Sequence, residues 1–225
     1  MTPQELQARV LYRDNTMLVI DKPAGLAVHP GPRTQESLER HLGALRFGLR
    51  EAPRLVHRLD RDTSGCLVLA RHAKAVRRLG RLFASAQVKK TYWAVVEGEP
   101  PATEGVIDQP LAKITRKDGW RVVPDPAGQH AVTRYRVLGA QGGSCWLELR
   151  PETGRTHQLR VHCASAAMPV LGDPVYGPST SPATRLHLHA SSITIPLGGG
   201  RAPITITAPP PAHMLRALQA CGWSD

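Results

Sequence analysis

Aromatic residues are scarce in this 225-residue chain: two Phe, four Tyr and four Trp. A broad base-stacking platform of the RRM kind, which needs a row of aromatics on one sheet, is therefore not expected. Cysteine is scarce too. Cys66, Cys145, Cys163 and Cys221 lie far apart with no C-x-x-C pair, which argues against a zinc ribbon or disulfide scaffold and for buried thiols packing as small apolar groups. No stretch approaches the ~20 apolar residues of a membrane span. The opening "MTPQELQARVLYRD" lacks the basic-then-apolar pattern of a signal peptide. A cytoplasmic protein without a membrane partner is the expectation.

Several chemistries lack their motifs. Neither G-x-x-x-x-G-K-[ST] nor a G-x-G-x-x-G after a strand occurs. Ser64 follows Thr63 and has a single flanking glycine, so it makes no G-x-S-x-G elbow. "DTSG" sets glycine three residues after Asp62, whereas an aspartic protease loop sets it two after, and no second carboxylate loop is evident. His187 and His189 alternate on a predicted strand, but without H-E-x-x-H or a third ligand nearby they read as packed histidines. His157 and His162, five apart on a predicted helix, do not share a face.

Positive charge is abundant. The 29 Lys and Arg face 18 acids, a net charge of +11. Residues 46–90 hold twelve of the basic residues and three acids, hence +9 of the excess. A concentrated basic stripe suits a phosphate backbone, because each neutralised phosphate releases counterions.

Within that segment "VHRLDRDTSG" (56–65) sets Asp60 between Arg58 and Arg61. A carboxylate beside permanent cations is ionised at neutral pH. It is then a poor general base, and either a structural ion pair or a nucleophile. A carboxylate nucleophile suits an anomeric carbon or an activated double bond. On a basic protein the substrate becomes a nucleoside within a polynucleotide, whose base must turn out of its stack before reaction. An arginine beside the nucleophile could fill the space left behind.

The pattern of elements is α+β. "RVLYRD" and "MLVIDKPAGLAVHPG" read as strands ending in a Pro/Gly turn, and "CLVLAR" as a buried strand after the Asp60 loop. "TQESLERHLGAL" places Leu38, His41, Leu42 and Leu45 at helical spacing. Residues 72–87 form an amphipathic helix with Val76, Leu79 and Phe83 inward and Lys74, Arg77, Arg78 and Arg81 outward. The like-charged i,i+4 pairs 74/78 and 77/81 cost helix stability unless an acidic ligand compensates. "KKTYWAVVEG" is a strand with Tyr92, Ala94 and Val96 on one face, and "HAVTRYRVLG" and "SCWLELRP" pair across "AQGG". "GRTHQLRVHCASAAM" reads as a helix capped by Thr153 or Thr156. A turn-rich loop (169–184), two strands and a short last helix complete a single domain over 1–225, or two lobes sharing a core.

Taken in order, "YRDNTMLVIDKPAGLAVHPG", "HRLDRDTSG", "KKTYWAVVEG", "TGRTHQLRVH", "LGDPVYG" and "LHLHA" resemble the RluA-type pseudouridine synthases over most of the chain. The resemblance implies their fold, a mixed, mostly antiparallel central sheet with flanking helices and a catalytic cleft. It implies isomerisation of uridine to pseudouridine in ribosomal or transfer RNA without cofactor or metal. It also implies that Asp60 is the catalytic aspartate, that Tyr92 sits over the uracil, that Arg160 pairs with Asp60, and that Arg58 enters the stack as the uridine flips out. Arg61, in the same loop, is a further candidate for RNA contact. Asp60 attacks C1′ or assists elimination through a glycal; Tyr92 is a base or a stacked ring.

Arg155 and His157 are phosphate or loop-anchoring groups, and Lys89, Lys90 and the 74/77/78/81 stripe are candidates for RNA backbone contacts. A monomer is expected, with no separate S4-type RNA-binding domain, so that the catalytic domain itself grips RNA. "AMPVLGD" replaces the family's more usual Gly-His-Pro before Leu-Gly-Asp. The rivals are a non-catalytic RNA-binding or RNA-folding protein on the same scaffold, and a hydrolase. Retaining hydrolysis wants a second carboxylate ~5–5.5 Å away, and Asp62 is the near one in sequence.

Overall fold

Short β-rich runs separated by Gly- and Pro-containing turns give strands that pair locally, and the described residues form an α+β fold of mostly antiparallel strands. The computed structural model describes residues 1–31, 34, 36–116, 119–178 and 185–224. In chain order the elements are α1 (Pro3–Gln7), β1 (Val10–Arg13), β2 (Met17–Lys22), a 3-10 helix (Leu38–Leu45), β3 (Arg54–Leu55), β4 (Ser64–Ala70), α2 (Ala73–Ala84), β5 (Lys89–Glu97) and β6 (Glu104–Asp108). Then follow β7 (Leu111–Arg116), β8 (Gly119–Pro124), β9 (Val132–Gln141), β10 (Ser144–Pro151), α3 (Gln158–Ser165), β11 (Leu188–Ile195), β12 (Ile204–Thr207) and α4 (Ala212–Ala220). The chain forms two compact units: unit 1 is Met1–Lys90 with Ala190–Pro209, and unit 2 is Thr91–His189 with Pro210–Asp225.

In unit 1 the strands run in the order β1-β2-β4-β11, with β12 on β11. Every residue of β4 is buried, as its unbroken apolar run demands of a strand covered on both faces. Register pairs Met17 with Ala70 and Lys22 with Gly65. Met17, Val19, Cys66 and Val68 pack with Ala75 and Leu79 of α2 and with Ile193 and Ile206. Gly65 has φ +105°, and a Cβ there would lie 2.3 Å from the Ala190 carbonyl oxygen, so only glycine lets β4 start so close to β11.

Two expectations change here. The Leu38–Leu45 segment buries its three leucines as its spacing requires, but as a 3-10 helix. It is short, holds Gly43, and has no side-chain cap on Ser37, so little favours the α form. In α2, Lys74, Arg77 and Arg81 are exposed, but Arg78 is half-buried. Its Nη2 donates to the carbonyls of Pro196 (3.1 Å) and Leu197. Tertiary carbonyls within reach have taken that guanidinium out of the basic stripe.

In unit 2 the order is β5-β10-β9-β6, and β7 and β8 form a two-stranded sheet of their own. β9 and β10 join through Gly142 and Gly143, both at positive φ, as a two-residue hairpin requires. Cys145, Leu147 and Leu149 are buried in alternation with half-buried Ser144, Trp146 and Glu148. Met214 and Leu218 of α4 pack on Val95, Trp93 and Trp146.

Helix α3 begins later than its sequence suggests. Its N-cap position is His157 in the left-handed region (φ 53°), and neither Thr153 nor Thr156 caps it. Instead the Gln158 side chain turns back: its Oε1 accepts from the Thr153 hydroxyl (2.7 Å) and the Arg155 N–H (3.0 Å). Its Nε2 donates to Val132 O (2.9 Å) and Thr133 Oγ1 (3.0 Å). A buried amide at the first helical position thus satisfies the loop that a capping hydroxyl would have served. Residues 179–184 of the expected turn-rich loop lie outside the described residues.

Candidate active site

The Asp60 loop of unit 1 is held through its backbone. Lys22, the last residue of β2, is fully buried. Its Nζ donates to the carbonyls of Pro23 (2.8 Å), Leu26 (2.9 Å) and Arg61 (3.0 Å). The Arg61 carbonyl also accepts from Gly25 N–H (2.9 Å), which ties the Pro-Ala-Gly turn to the Asp60 loop. Burial lowers the Lys22 pKa to about 7, and the carboxylates of Asp62, Asp60 and Asp21 oppose that shift. A cation therefore sits beneath a loop bearing two acids.

The loop's entrance is fixed by His57. Its ring stacks on Phe83 of α2 (4.3 Å, 18°), and its Nε2 accepts from the Val68 N–H of β4 (2.8 Å). That bond makes Nδ1 the protonated nitrogen of a neutral ring. Burial, followed by repulsion from Lys90, lowers the His57 pKa to about 3. Leu59 is buried, and the Thr63 N–H donates to the Asp60 carbonyl (3.2 Å) to close the turn. Asp60 is half-buried and Arg58 exposed. The guanidinium of exposed Arg61 is directed to a different acid from the one its sequence position suggests: Nε donates to Asp62 Oδ1 (3.1 Å).

In unit 2, Tyr92 is buried on β5 opposite Leu149. Arg160 of α3 is buried and makes two bonds of 2.7 Å to Asp173, Nε to Oδ2 and Nη2 to Oδ1. Its guanidinium carbon stands 5.0 Å from the Tyr176 ring centroid. Burial by itself would raise the Asp173 carboxyl. Arg160 and the N–H groups of Val175 and Tyr176 outweigh burial and hold it below the ordinary carboxylate range. His157 Nδ1 meets the Tyr176 hydroxyl at 2.8 Å, and that hydroxyl accepts from Val122 N–H (3.1 Å). His157 thus anchors a loop. Exposed Arg155 donates from Nε to His130 O (3.0 Å), an anchoring role as well.

Of the proposed backbone contacts, Lys74, Arg77, Arg81 and Lys89 are exposed, whereas Lys90 is half-buried with its pKa lowered by burial. Sequence reasoning passed over Lys22, His57, Asp173 and Tyr176. A lysine ending an apolar strand just before Pro-Ala-Gly was a legible signal for the first. The Asp173–Arg160 pair could not be read from spacing, because the turn that returns Asp173 to α3 has no local signature.

Three comparisons bear on these residues. Residues 16–165 match the family model described as RNA pseudouridylate synthase. A Zymomonas mobilis protein named an uncharacterized RNA pseudouridine synthase is 49% identical over 209 residues, covering 92% of this chain and 95% of that protein. The ribosomal large subunit pseudouridine synthase D of the same organism is 38% identical over 185 residues, 79% of this chain and 58% of that one. The solved structure of human RNA pseudouridylate synthase domain containing 4 superimposes with a TM-score of 0.82 at 29% identity, covering 97% of this chain and 95% of that one.

Proposed function

The chain belongs to the RNA pseudouridylate synthase family, and on that premise we propose that it isomerises particular uridines of ribosomal or transfer RNA with Asp60 as nucleophile. The family activity, conversion of uridine in RNA to pseudouridine, makes it an isomerase. The N1–C1′ bond breaks, the uracil turns, and C5 bonds to C1′ while a proton passes from C5 to N1. Nothing is added or lost, so no external acceptor is needed.

The observation that carries the assignment of Asp60 is its loop. A half-buried carboxylate stands on a turn whose backbone is tied down by Lys22 and His57. Such a group keeps its position while C1′ approaches, and fixed position is where much of an intramolecular-type rate enhancement arises. Exposed Arg58, two residues before it, is the side chain we assign to the gap left in the stack when the base turns out. Tyr92 is the side chain we assign to the uracil, and Arg160 to the family's active-site arginine. The burial of both, and the two hydrogen bonds of Arg160 to Asp173, support fixed rather than mobile roles.

The test is pseudouridine mapping of ribosomal and transfer RNA from cells lacking the protein, complemented with wild type or with Asp60→Asn. A site lost on deletion and restored only by wild type is the expected result. In vitro, Asp60→Asn should lower turnover by about four orders of magnitude, the scale of a lost nucleophile, and keep RNA affinity within a few-fold. Substantial turnover in that variant would overturn the nucleophile, and release of free uracil would mean hydrolysis.

A further inference from the structure

The β7–β8 hairpin of unit 2 buries Leu111 and Val122 against Ala131, Val161 and Tyr176. Trp120 follows the same alternation as Val122, two residues nearer the hairpin's end, opposite Thr115. There the inward face has run past its core. Trp120 is 45% exposed, the one aromatic among the large apolar side chains left exposed in the described residues. Its indole is held: the His157 ring lies against it at 5.0 Å and 31°, and His157 is itself fixed by the Tyr176 hydroxyl. The Lys113 ammonium lies 4.4 Å from the indole centroid.

Lys113 lies over the indole, and the Arg121 guanidinium and the His157 ring lie beside Tyr176. Among the described residues no carboxylate is salt-bridged to Lys113, Arg121 or Arg155. The Nε of Arg121 is buried without a hydrogen-bond partner, while its guanidinium stands 5.7 Å from the Tyr176 ring. An oriented, half-exposed indole with a lysine ammonium over it matches a ligand that is flat, aromatic and anionic along one edge. A cation–π contact by an exposed lysine is weak and easily exchanged, whereas a nucleobase covers the whole ring.

We propose that Trp120 stacks on an unpaired base of the RNA substrate, a base other than the reacting uridine, and that Lys113 moves from the indole to the neighbouring phosphate. This rests on the assignment of RNA as substrate. The site selects RNA with a splayed base at that position, because a base inside a duplex offers no free face.

The experiment uses the full chain and two probes, a short unstructured RNA oligonucleotide and the duplex it forms with its complement. Trp120→Ala should weaken binding of the unpaired probe by about tenfold, the scale of one lost stack, and leave duplex binding nearly unchanged. Trp120→Phe should keep most of the affinity. Trp120→Leu, which retains apolar volume but no flat ring, should behave as alanine does. Quenching of tryptophan emission by the unpaired probe should shrink in Trp120→Ala, and KM for a modified RNA should rise with kcat held.

Lys113→Met should reduce the salt slope of binding by about one. If wild type binds RNA and forms pseudouridine while alanine, leucine and wild type bind both probes alike, the inference falls and the indole faces a protein partner instead. If wild type neither binds nor modifies RNA, the substrate assignment fails first.

Discussion

Beneath the Asp60 loop a lysine holds three carbonyls; in unit 2 a carboxylate holds an arginine. The two cations are both buried and are satisfied differently for a chemical reason. An ammonium is compact and can lose its proton, and burial has already brought Lys22 to about 7. Neutral carbonyls are partners enough. A guanidinium does not deprotonate within a protein, and Arg160, buried with its charge, meets a full counter-charge in Asp173. The lysine solution fixes a backbone path and spends no acid on it. The arginine solution fixes one side chain in one orientation.

The largest effect is expected at Asp173. Asp173→Ala leaves Arg160 charged and buried, and should cost about 3–5 kcal/mol, read as a drop in the denaturant midpoint with activity lost as well. Lys22→Met should cost less, about 1–3 kcal/mol, because it removes hydrogen bonds to three neutral carbonyls and leaves no charge buried without a partner. Its cost should depend on pH. The folded pKa is about 7 and the free value 10.5, so between them the unfolded chain binds the extra proton. Wild-type stability therefore rises with pH across that window. The gap to Lys22→Met should widen from pH 7 to 10 in urea titrations; a constant gap would mean that Lys22 stays charged.

Burial acts on His57 of unit 1 as it does on Lys22. Its folded pKa near 3 against 6.5 means that its contribution is complete above pH 6.5 and is lost as pH falls toward 3. The slope is at most ~1.4 kcal/mol per pH unit. His57→Gln, which keeps an acceptor for Val68 N–H but does not titrate, should flatten the acid limb of a stability–pH curve. The smallest stability effect belongs to the surface outside both clamps. Arg77→Glu with Arg81→Glu should change stability by about 0.5 kcal/mol or less while weakening RNA binding and flattening its salt dependence. Unchanged affinity would mean that this stripe faces away from RNA.

The elements were largely legible because their signals are local. The apolar run of β4, the Gly142–Gly143 turn, the alternation in β10 and the amphipathic α2 each depend on neighbours a few residues away. Where residue pattern and structure part, a distant group has intervened. Gln158 displaces the expected threonine cap by bonding to Val132 and Thr133, and Arg78 leaves the exposed stripe for carbonyls at 196 and 197.

Residue pattern was enough for β1, β2, β4, β5, β9 and β10, for the basic segment and for an aspartate loop between arginines, since backbone preference and side-chain alternation act over a few residues; β6, β7 and β8 were not read from it. Tertiary structure alone decided the partners. Arg61 turns to Asp62, Arg160 takes Asp173 thirteen residues on, and Lys22 reaches a carbonyl thirty-nine residues away. Which acid or carbonyl a buried cation meets depends on distance through space, and chain spacing carries no record of it.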